Sequence, residues 1–399
     1  MENQEIVLEK PKKIKLPKTL IAVVLTAVIS VLASFTLFHY IYLADGRYEK
    51  LKAMDNLVSD NFYGEIDPQK INDGIMLGYV LGLEDRYASY FSSEEAAKGN
   101  EELSGSGQGI GIIVTMHPDT ENIYVSNVYN ECPAAKAGIL VGDQITAVDG
   151  VKVTERGYQQ SVNDIIREIG DTVVLTVLRG DETLELTVEY SQFVAQTVFG
   201  QMLDSGIAYV EITSFNGGTY EQFKNTVDSL IADGAKGLIF DIRNNGGGTV
   251  DSVTKMVDYL CPEGVIMTAK YANGKTQNIA NSDAEEIDLP MAVLTNGNSA
   301  SASELFTASI KDFGKGVSVG EKTFGKGVMQ TTYGFDDGSS VAFTVAEFLP
   351  HSGKSFNEKG IEPDIPVTLT EDEIKYTYQI FPQDDSAVAA AEEYLLGER

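Results

Sequence analysis

The chain has 399 residues, enough for two or three domains with sizeable cores, and its 43% apolar and 22% charged content is ordinary for a globular protein. Thirty basic residues against 59 acidic ones give a net charge of −29, which makes nucleic acid and anionic lipid headgroups poor partners for the folded surface. Two cysteines and three histidines, none of them in H-E-x-x-H, leave no zinc-ligand cluster and no call for a metal or other cofactor.

In chain order, residues 1–19 hold five lysines and three glutamates, and residues 20–44 carry no charge, so residues 45–399 bear the remaining −31. Leu20 to Leu43 spans roughly 36 Å as a helix, enough to cross a bilayer. Lys10, Lys12, Lys13, Lys15 and Lys18 precede it, and this positive flank predicts a cytoplasmic N-terminus with everything after residue 44 outside. A cleaved signal peptide is the rival, but its apolar core runs only ~7–15 residues and ends in a small-x-small site. The longer stretch here reads as an uncleaved anchor.

From Gly46 to about Asn100 the pattern is helical, with Leu51, Met54, Leu57 and Val58 on one stripe and Ile75, Leu77 and Leu81 on another. A glycine-rich seam, Ser104 to Gly111, opens the next unit. There alternation predicts strands over Ile110–Thr115, Ile123–Val128, Gln144–Val148, Val173–Leu178 and Leu184–Val188, with one helix carrying Val162, Ile165, Ile166 and Ile169. Cys132 falls in this unit and Cys261 in the next, so the two are expected as buried free thiols rather than a disulfide.

From about Ser191 strands and helices alternate. Strand-like Ile207–Phe215 precedes an amphipathic helix through Phe223, Val227, Leu230 and Ile231. The apolar run Gly237–Ile242 ends in Asn244-Asn245-Gly246-Gly247-Gly248, before a helix over Val250–Leu260. Met291–Thr295 then runs into Ser299-Ala-Ser-Ala-Ser-Glu304 and another helix, and Ala387–Leu396 reads as a short closing helix. Continuous apolar strands alternating with helices indicate an α/β core.

The chemistry concentrates at Ser301 and Lys326. Ser301-Ala-Ser-Glu304 alone spells a capping box, in which serine and glutamate satisfy orphan N–H groups at a helix start. Its surroundings add a second meaning. A serine at a helix N-terminus gains from the positive end of the dipole, and the N–H of Ala302 is free to bind an oxyanion. The Gly246–Gly248 loop at a strand end supplies further N–H groups. Lys326 lies 25 residues on, within Thr323-Phe-Gly-Lys-Gly-Val-Met-Gln330. On a strand, 326, 328 and 330 share a face, so Gln330 can accept from the amine and aim its lone pair at Ser301. To act as a base near neutral pH, Lys326 must drop about 3 units from ~10.4, which burial can supply. No histidine competes: His39 is in the anchor, His117 beside a turn proline, and His351 beside Pro350. Ser252-Val-Thr-Lys255 matches S-x-x-K, but the companion motifs stand in the wrong order or are missing.

These segments resemble the carboxyl-terminal processing peptidases, tail-specific serine proteases with an inserted PDZ domain. The match covers about residues 46–395 and includes Arg243-Asn-Asn-Gly-Gly-Gly248, Leu83-Glu-Asp-Arg-Tyr-Ala-Ser-Tyr90 and Gly360-Ile-Glu-Pro-Asp364. The resemblance implies a Ser301 nucleophile, a Lys326 base oriented by Gln330, oxyanion donors at Gly247 and Ala302, and an accessory carboxylate at Asp312. It also implies that Gly109-Ile110-Gly111-Ile112 presents N–H groups to a peptide's terminal carboxylate, with Pro133–Ile139 as a further PDZ match. Arg167 is followed by Glu168 where the family usually has glycine.

The fold so implied is an α/β protease core, a ClpP/crotonase-like layering of sheet and helices, with an inserted β-rich PDZ domain, an N-terminal helical segment and one transmembrane helix. The expected divisions are a basic segment 1–19, an anchor 20–43, a helical domain 45–100, a PDZ domain 104–190, a protease core 191–375 and a helical tail 376–399. The function so implied is a membrane-anchored extracytoplasmic serine endopeptidase acting on proteins with free, apolar C-terminal tails. It needs no nucleic-acid partner and leaves homo-oligomerisation open. The alternative is a PDZ adaptor or chaperone on a catalytically dead scaffold.

Overall fold

A computed structural model of the chain describes residues 17–43, 46–376 and 381–397; most of the expected basic N-terminal segment lies outside the described residues. The chain divides into two compact units, Met1–Ile75 and Met76–Arg399.

In the first unit the uncharged stretch forms one helix, Lys18–Leu43, whose Lys18–Leu37 portion has a mean hydropathy of 2.6. Leu20, Val24, Leu32 and Phe35 along it are exposed, and Thr26 and Thr36 turn their hydroxyls back onto the carbonyls of Ala22 and Leu32. A hydroxyl satisfied by its own helix can sit in an apolar medium. Helix Gly46–Asn61 follows and buries no residue, so the expected stripe Leu51, Met54 and Leu57 remains exposed. In helix Pro68–Leu81 the buried residue is Val80, while Leu77 and Leu81 of the expected stripe are exposed.

The second unit takes in the end of this helix from Met76, then a short strand, Ser89–Phe91, and helix Ser93–Ser104, started by a Ser92/Glu95 capping box and stopped by Gly105 in the left-handed region. A β-rich insert follows. Its strands Ile112–Met116, Ile123–Val128, Gln144–Val148, Thr172–Arg179 and Glu182–Glu189 form one antiparallel sheet in that order, close to the alternation read from sequence. Ser106–Gly109 entering the insert pairs with Ser191–Val194 leaving it. This two-stranded ribbon closes the insert at its neck.

One expected element is shorter than the periodicity indicated. Helix Tyr158–Asn163 ends before Ile165, and Ile166 and Ile169 are exposed. After Asn163 the chain tightens, with the Ile165 and Ile166 N–H groups on the carbonyls of Val162 and Asn163, three residues back rather than four, and Arg167 donates to the carbonyls of Asp164 and Ile166 and pairs with Asp149.

The α/β core holds two sheets. In the larger, Val198–Met202 runs antiparallel to Ala208–Ile212, which is followed by the parallel strands Leu238–Asp241, Met291–Thr295, Gly316–Gly320 and Ile365–Pro366. Helices Thr219–Ala232, Val250–Leu260 and Ala302–Asp312 bury their apolar sides in one cluster with this sheet, around Phe215, Phe223, Phe240 and Phe306. Phe240 and Phe306 meet edge to face with centroids 5.4 Å apart. Helix Ser386–Leu395 packs with a second cluster through Val388 and Ala391. The smaller sheet joins Ser89–Phe91, Ser340–Leu349, Gly264–Tyr271 and Thr276–Ser282, with Val328–Gly334 also paired to Ser340–Leu349. Cys132 and Cys261 are free and fully buried, and burial pushes the Cys261 thiol up to about 12.

Candidate active site

Two neighbouring parallel strands deliver the central loops. Leu238–Asp241 runs into the Asn244–Gly248 loop, and Met291–Thr295 runs into the serine cluster. Both loops lie at the carboxyl ends of their strands, where open α/β sheets leave a crevice. The outer serines lace the loops together. Ser299 donates its hydroxyl to the Ile242 carbonyl at 2.9 Å, and Ser303 donates to the Asn245 carbonyl at 2.8 Å. The Ala300 N–H also reaches the Asn245 carbonyl, and the Asn296 amide donates to Asn244. Ser299 and Ser303 are thus both occupied as backbone clamps.

Ser301 stands apart from its neighbours. It precedes helix Ala302–Asp312 with φ 58° and ψ −111° and no side-chain cap hydrogen bond. An ordinary N-cap serine has β-region torsions and spends its hydroxyl on the helix. A non-glycine residue at positive φ costs about 1–3 kcal/mol unless its surroundings hold it there.

The holding group is Glu304. Its side chain is fully buried and accepts four hydrogen bonds. Oε2 takes the Ser301 N–H at 2.9 Å and the Lys326 N–H at 2.7 Å. Oε1 takes the Gly325 N–H at 2.7 Å and the Thr323 hydroxyl at 2.6 Å. The Ser301–Glu304 half of the capping box is therefore present, and the same carboxylate also binds the lysine segment.

Ser301, Lys326 and Gln330 line one cavity of about 280 Å³, together with Gly246, Gly248, Val250, Val328, Met329 and Phe348. Lys326 is half-buried, with its ammonium 4.8 Å from the centre of the Tyr87 ring. Burial pushes its pKa below the ordinary lysine value, against the opposing pull of the Asp85 carboxylate. The strand expected to carry Lys326 starts only at Val328, so Lys326 sits on the preceding loop. A β-bulge then intervenes: Met329 faces Ala346 and Gln330 faces Thr344, which skips Val345. The extra residue lies in the partner strand, so Val328 and Gln330 both line the cavity as alternation predicts, and the bulge sets Thr344 opposite Gln330.

Other expected residues are placed differently. The Gly247 N–H donates to the Asn245 side-chain oxygen at 2.8 Å, and it is Gly246 and Gly248 that line the cavity. A Cβ at Gly247 would lie 2.8 Å from the Ala300 carbonyl oxygen, at a φ of 108° that glycine alone adopts easily. Ala302 occupies the first turn of its helix, where an N–H has no intrahelical acceptor. Asp312 ends that helix away from the cavity and accepts the Ser352 N–H at 3.0 Å. His351 packs against Phe313 with ring centroids 4.1 Å apart, and its Nδ1 lies 3.0 Å from the Val265 carbonyl oxygen.

In the insert, Ile110 is buried in the core and its carbonyl accepts the Ala134 N–H, while the Gly111 carbonyl accepts from Tyr129. Ile112 and Ile165 pack with the same cluster, but Ile169, expected beside them, is exposed. The residues that sequence reasoning did not assign are Asp85, Tyr87 and Thr344 around the lysine, and Glu304 in its second role. The Leu83–Tyr90 motif drew attention to the first two without giving them a task.

Comparisons with known proteins bear on the family and the fold. Residues 206–367 match the family model of Peptidase family S41, and residues 109–190 match that of the PDZ domain. The chain is 33% identical over 327 residues to the carboxy-terminal processing protease CtpA of Bacillus subtilis (strain 168), a match covering 82% of this chain and 70% of that protein. It is 31% identical over 354 residues to a probable CtpA-like serine protease of Staphylococcus haemolyticus (strain JCSC1435), covering 86% and 70%. Among solved structures, the photosystem II D1 C-terminal processing protease matches at a TM-score of 0.50 and 24% identity, covering 85% of this chain and 90% of that one. A putative S41 protease from Bacteroides fragilis NCTC 9343 matches at 0.61 and 17% identity, covering 85% and 92%. At these identities the two structures bear on the fold alone.

Glu304→Gln tests the buried carboxylate. With its NH₂ on the Oε2 side the new amide strands the Ser301 and Lys326 N–H groups, and on the Oε1 side it strands the Gly325 N–H, since there only the Thr323 hydroxyl can turn to accept from it. Leaving buried donors unpaired costs about 1–3 kcal/mol each. The expected result is a urea midpoint lowered with m unchanged, and peptidase activity reduced more than tenfold. A midpoint equal to that of the parent chain would remove Glu304 from this role.

Proposed function

The chain belongs to peptidase family S41 and is a serine-type peptidase, and on that premise we propose that Ser301 is its nucleophile and Lys326 its general base. The carrying observation is that both side chains line one cavity while a single carboxylate bonds both backbones. In this reading the neutral Lys326 amine takes the Ser301 hydroxyl proton as Oγ attacks the scissile carbonyl carbon. The tetrahedral oxyanion meets the Ala302 N–H at the positive end of the helix. Gly247 completes the oxyanion hole when its N–H exchanges Asn245 for the substrate. The Lys326 ammonium then protonates the leaving amine, and water, activated in the same way, releases the acyl group. Gln330 orients the lysine. Asp312, bonded to the loop after His351, has a supporting place in the fold. The occupied dyad positions favour this reading over a dead scaffold used as an adaptor.

Ser301→Ala and Lys326→Ala should each abolish casein hydrolysis without lowering the melting temperature by more than a few degrees, while His351→Ala stays active. Because the base is the neutral amine, kcat/KM should rise with pH through a pKa below the ordinary lysine value near 10.5. An inactive His351→Ala beside an active Lys326→Ala would reverse the assignment.

The PDZ domain adds the choice of substrate. The fold of Gly109–Ile112 is held through its carbonyls, and Gly111, at φ 81°, has Cys132 where a Cβ would stand. That leaves N–H groups of the segment to bind a terminal carboxylate, with the tail added along a sheet edge. The apolar surroundings of Ile112 and Ile165 favour an apolar last residue. A test protein ending in Ala-Ala should be cleaved roughly ten- to a hundredfold faster than the same protein amidated or ending in Asp-Asp, since an unpaired polar terminus costs about 1–3 kcal/mol. Equal rates would end the tail-capture idea.

The Lys18–Leu43 helix, long enough and apolar enough to span a bilayer, supports an anchor with the catalytic unit outside the cytoplasm. Protease added to intact cells should digest epitopes after residue 45. A soluble form starting near Ser34 would instead identify a cleaved signal sequence.

A further inference from the structure

Near the cavity, a half-buried carboxylate and hydroxyl stand where the mechanism so far gives them nothing to do. Asp85 lies in the turn before strand Ser89–Phe91, which pairs Ser89 with Ala342. Two residues past that pair, where the strand no longer supplies an acceptor, the Thr344 N–H donates to Asp85 Oδ2 at 2.8 Å. The Thr344 hydroxyl is 3.2 Å from Asp85 Oδ1, and the Gln330 Nε2 is 3.2 Å from that hydroxyl.

The direction of these bonds is forced. An ionised carboxylate only accepts, so the one proton of the Thr344 hydroxyl points to Asp85. Hydrogen bonds from the Thr344 and Tyr87 N–H groups, together with the Lys326 charge, outweigh the effect of burial and keep Asp85 ionised. The Thr344 oxygen can then only accept from Gln330, which turns the NH₂ end of the carboxamide toward it. A second acceptor agrees: the Val328 carbonyl lies 3.4 Å from the same Nε2. The Gln330 oxygen is left for the cavity shared with Lys326.

We propose that Asp85 and Thr344 are positioning residues: a one-way hydrogen-bond relay that fixes the Gln330 carboxamide with its oxygen presented to the Lys326 amine. The relay rests on the Ser301/Lys326 reading. It gives the Leu83–Tyr90 segment a task in that site, since its turn and strand bring Asp85 to Thr344. It also explains the bulge, without which Gln330 would face Val345 instead of Thr344. With the amide held, an acceptor meets the amine and the nitrogen lone pair is directed at Ser301. With it released, the amide can flip and offer its NH₂ to the lysine, which wastes that lone pair.

The experiment follows phosphonylation of Ser301 by a fluorophosphonate probe, in which Oγ bonds phosphorus and fluoride leaves and which reads rates too slow for turnover, alongside kcat and KM on a peptide. Thr344→Val should lower the labelling rate and kcat about tenfold with KM changed less than twofold, while Thr344→Ser stays within about threefold of the parent chain. In a Gln330→Ala background, Thr344→Val should cost nothing further, because the amide it orients is gone. An equal loss in both backgrounds, a serine variant as poor as the valine one, or a valine variant with parental rates would each overturn the relay. Labelling of a Lys326→Ala variant at the parental rate would instead overturn the dyad reading on which the relay rests.

Discussion

The structure turns on one buried carboxylate. Glu304 has no solvent exposure and no basic partner among its hydrogen bonds, so its charge is carried by four donors from two chain segments. Desolvating a carboxylate is tolerable only when its lone pairs are filled. Here the donors that fill them are the backbone of Ser301 and the Thr323–Lys326 loop. Ser301 and Lys326, the proposed nucleophile and base, are thus registered by a need that has nothing to do with chemistry on a substrate. If either segment moves, a charge is left unpaired in the interior.

The rest of the site is arranged around that fixed point. Ser299 and Ser303 tie the serine loop to the glycine loop, which leaves Ser301 at a positive φ with its hydroxyl unspent on the helix. Phe306, one turn into the same helix, packs against Phe215, Phe223 and Phe240, so the strained residue stands on a rigid base. Rigid support of this kind is what lets a residue stay in a costly conformation. Lys326, by contrast, lacks an ion pair among the described residues; burial favours its neutral form, against the pull of the Tyr87 ring on the ammonium.

Around this centre the acidic balance of the chain is a surface property. The −29 net charge keeps a folded exterior soluble and selects against polyanionic partners. The insert keeps its own apolar core around Ile123, Ile145 and Leu175 and is joined through the short Ser106–Gly109/Ser191–Val194 ribbon. Two strands paired at the neck let a peptide-recognition module be inserted without breaking the sheet order of the core.

Local chemistry fixed much of this chain by itself. Alternation located most strands of the insert, continuous apolar runs located the parallel strands, and the serine cluster and glycine-flanked lysine marked the site. These features repeat over a few residues, and a linear reading detects them. The apolar spacing through Ile169 misled: after Asn163 the chain tightens into turns bonded three residues back, and Arg167 there pairs with Asp149 on another segment. The bulge at Gln330, the capture of the Gly247 N–H by Asn245 and the Asp85–Thr344 contact likewise depend on which strands become neighbours. Glu304 is the sharpest case. In sequence it is the last letter of a capping box; only packing it beneath the lysine loop made it the group that joins the two halves of the site, because a buried charge must find every donor within reach.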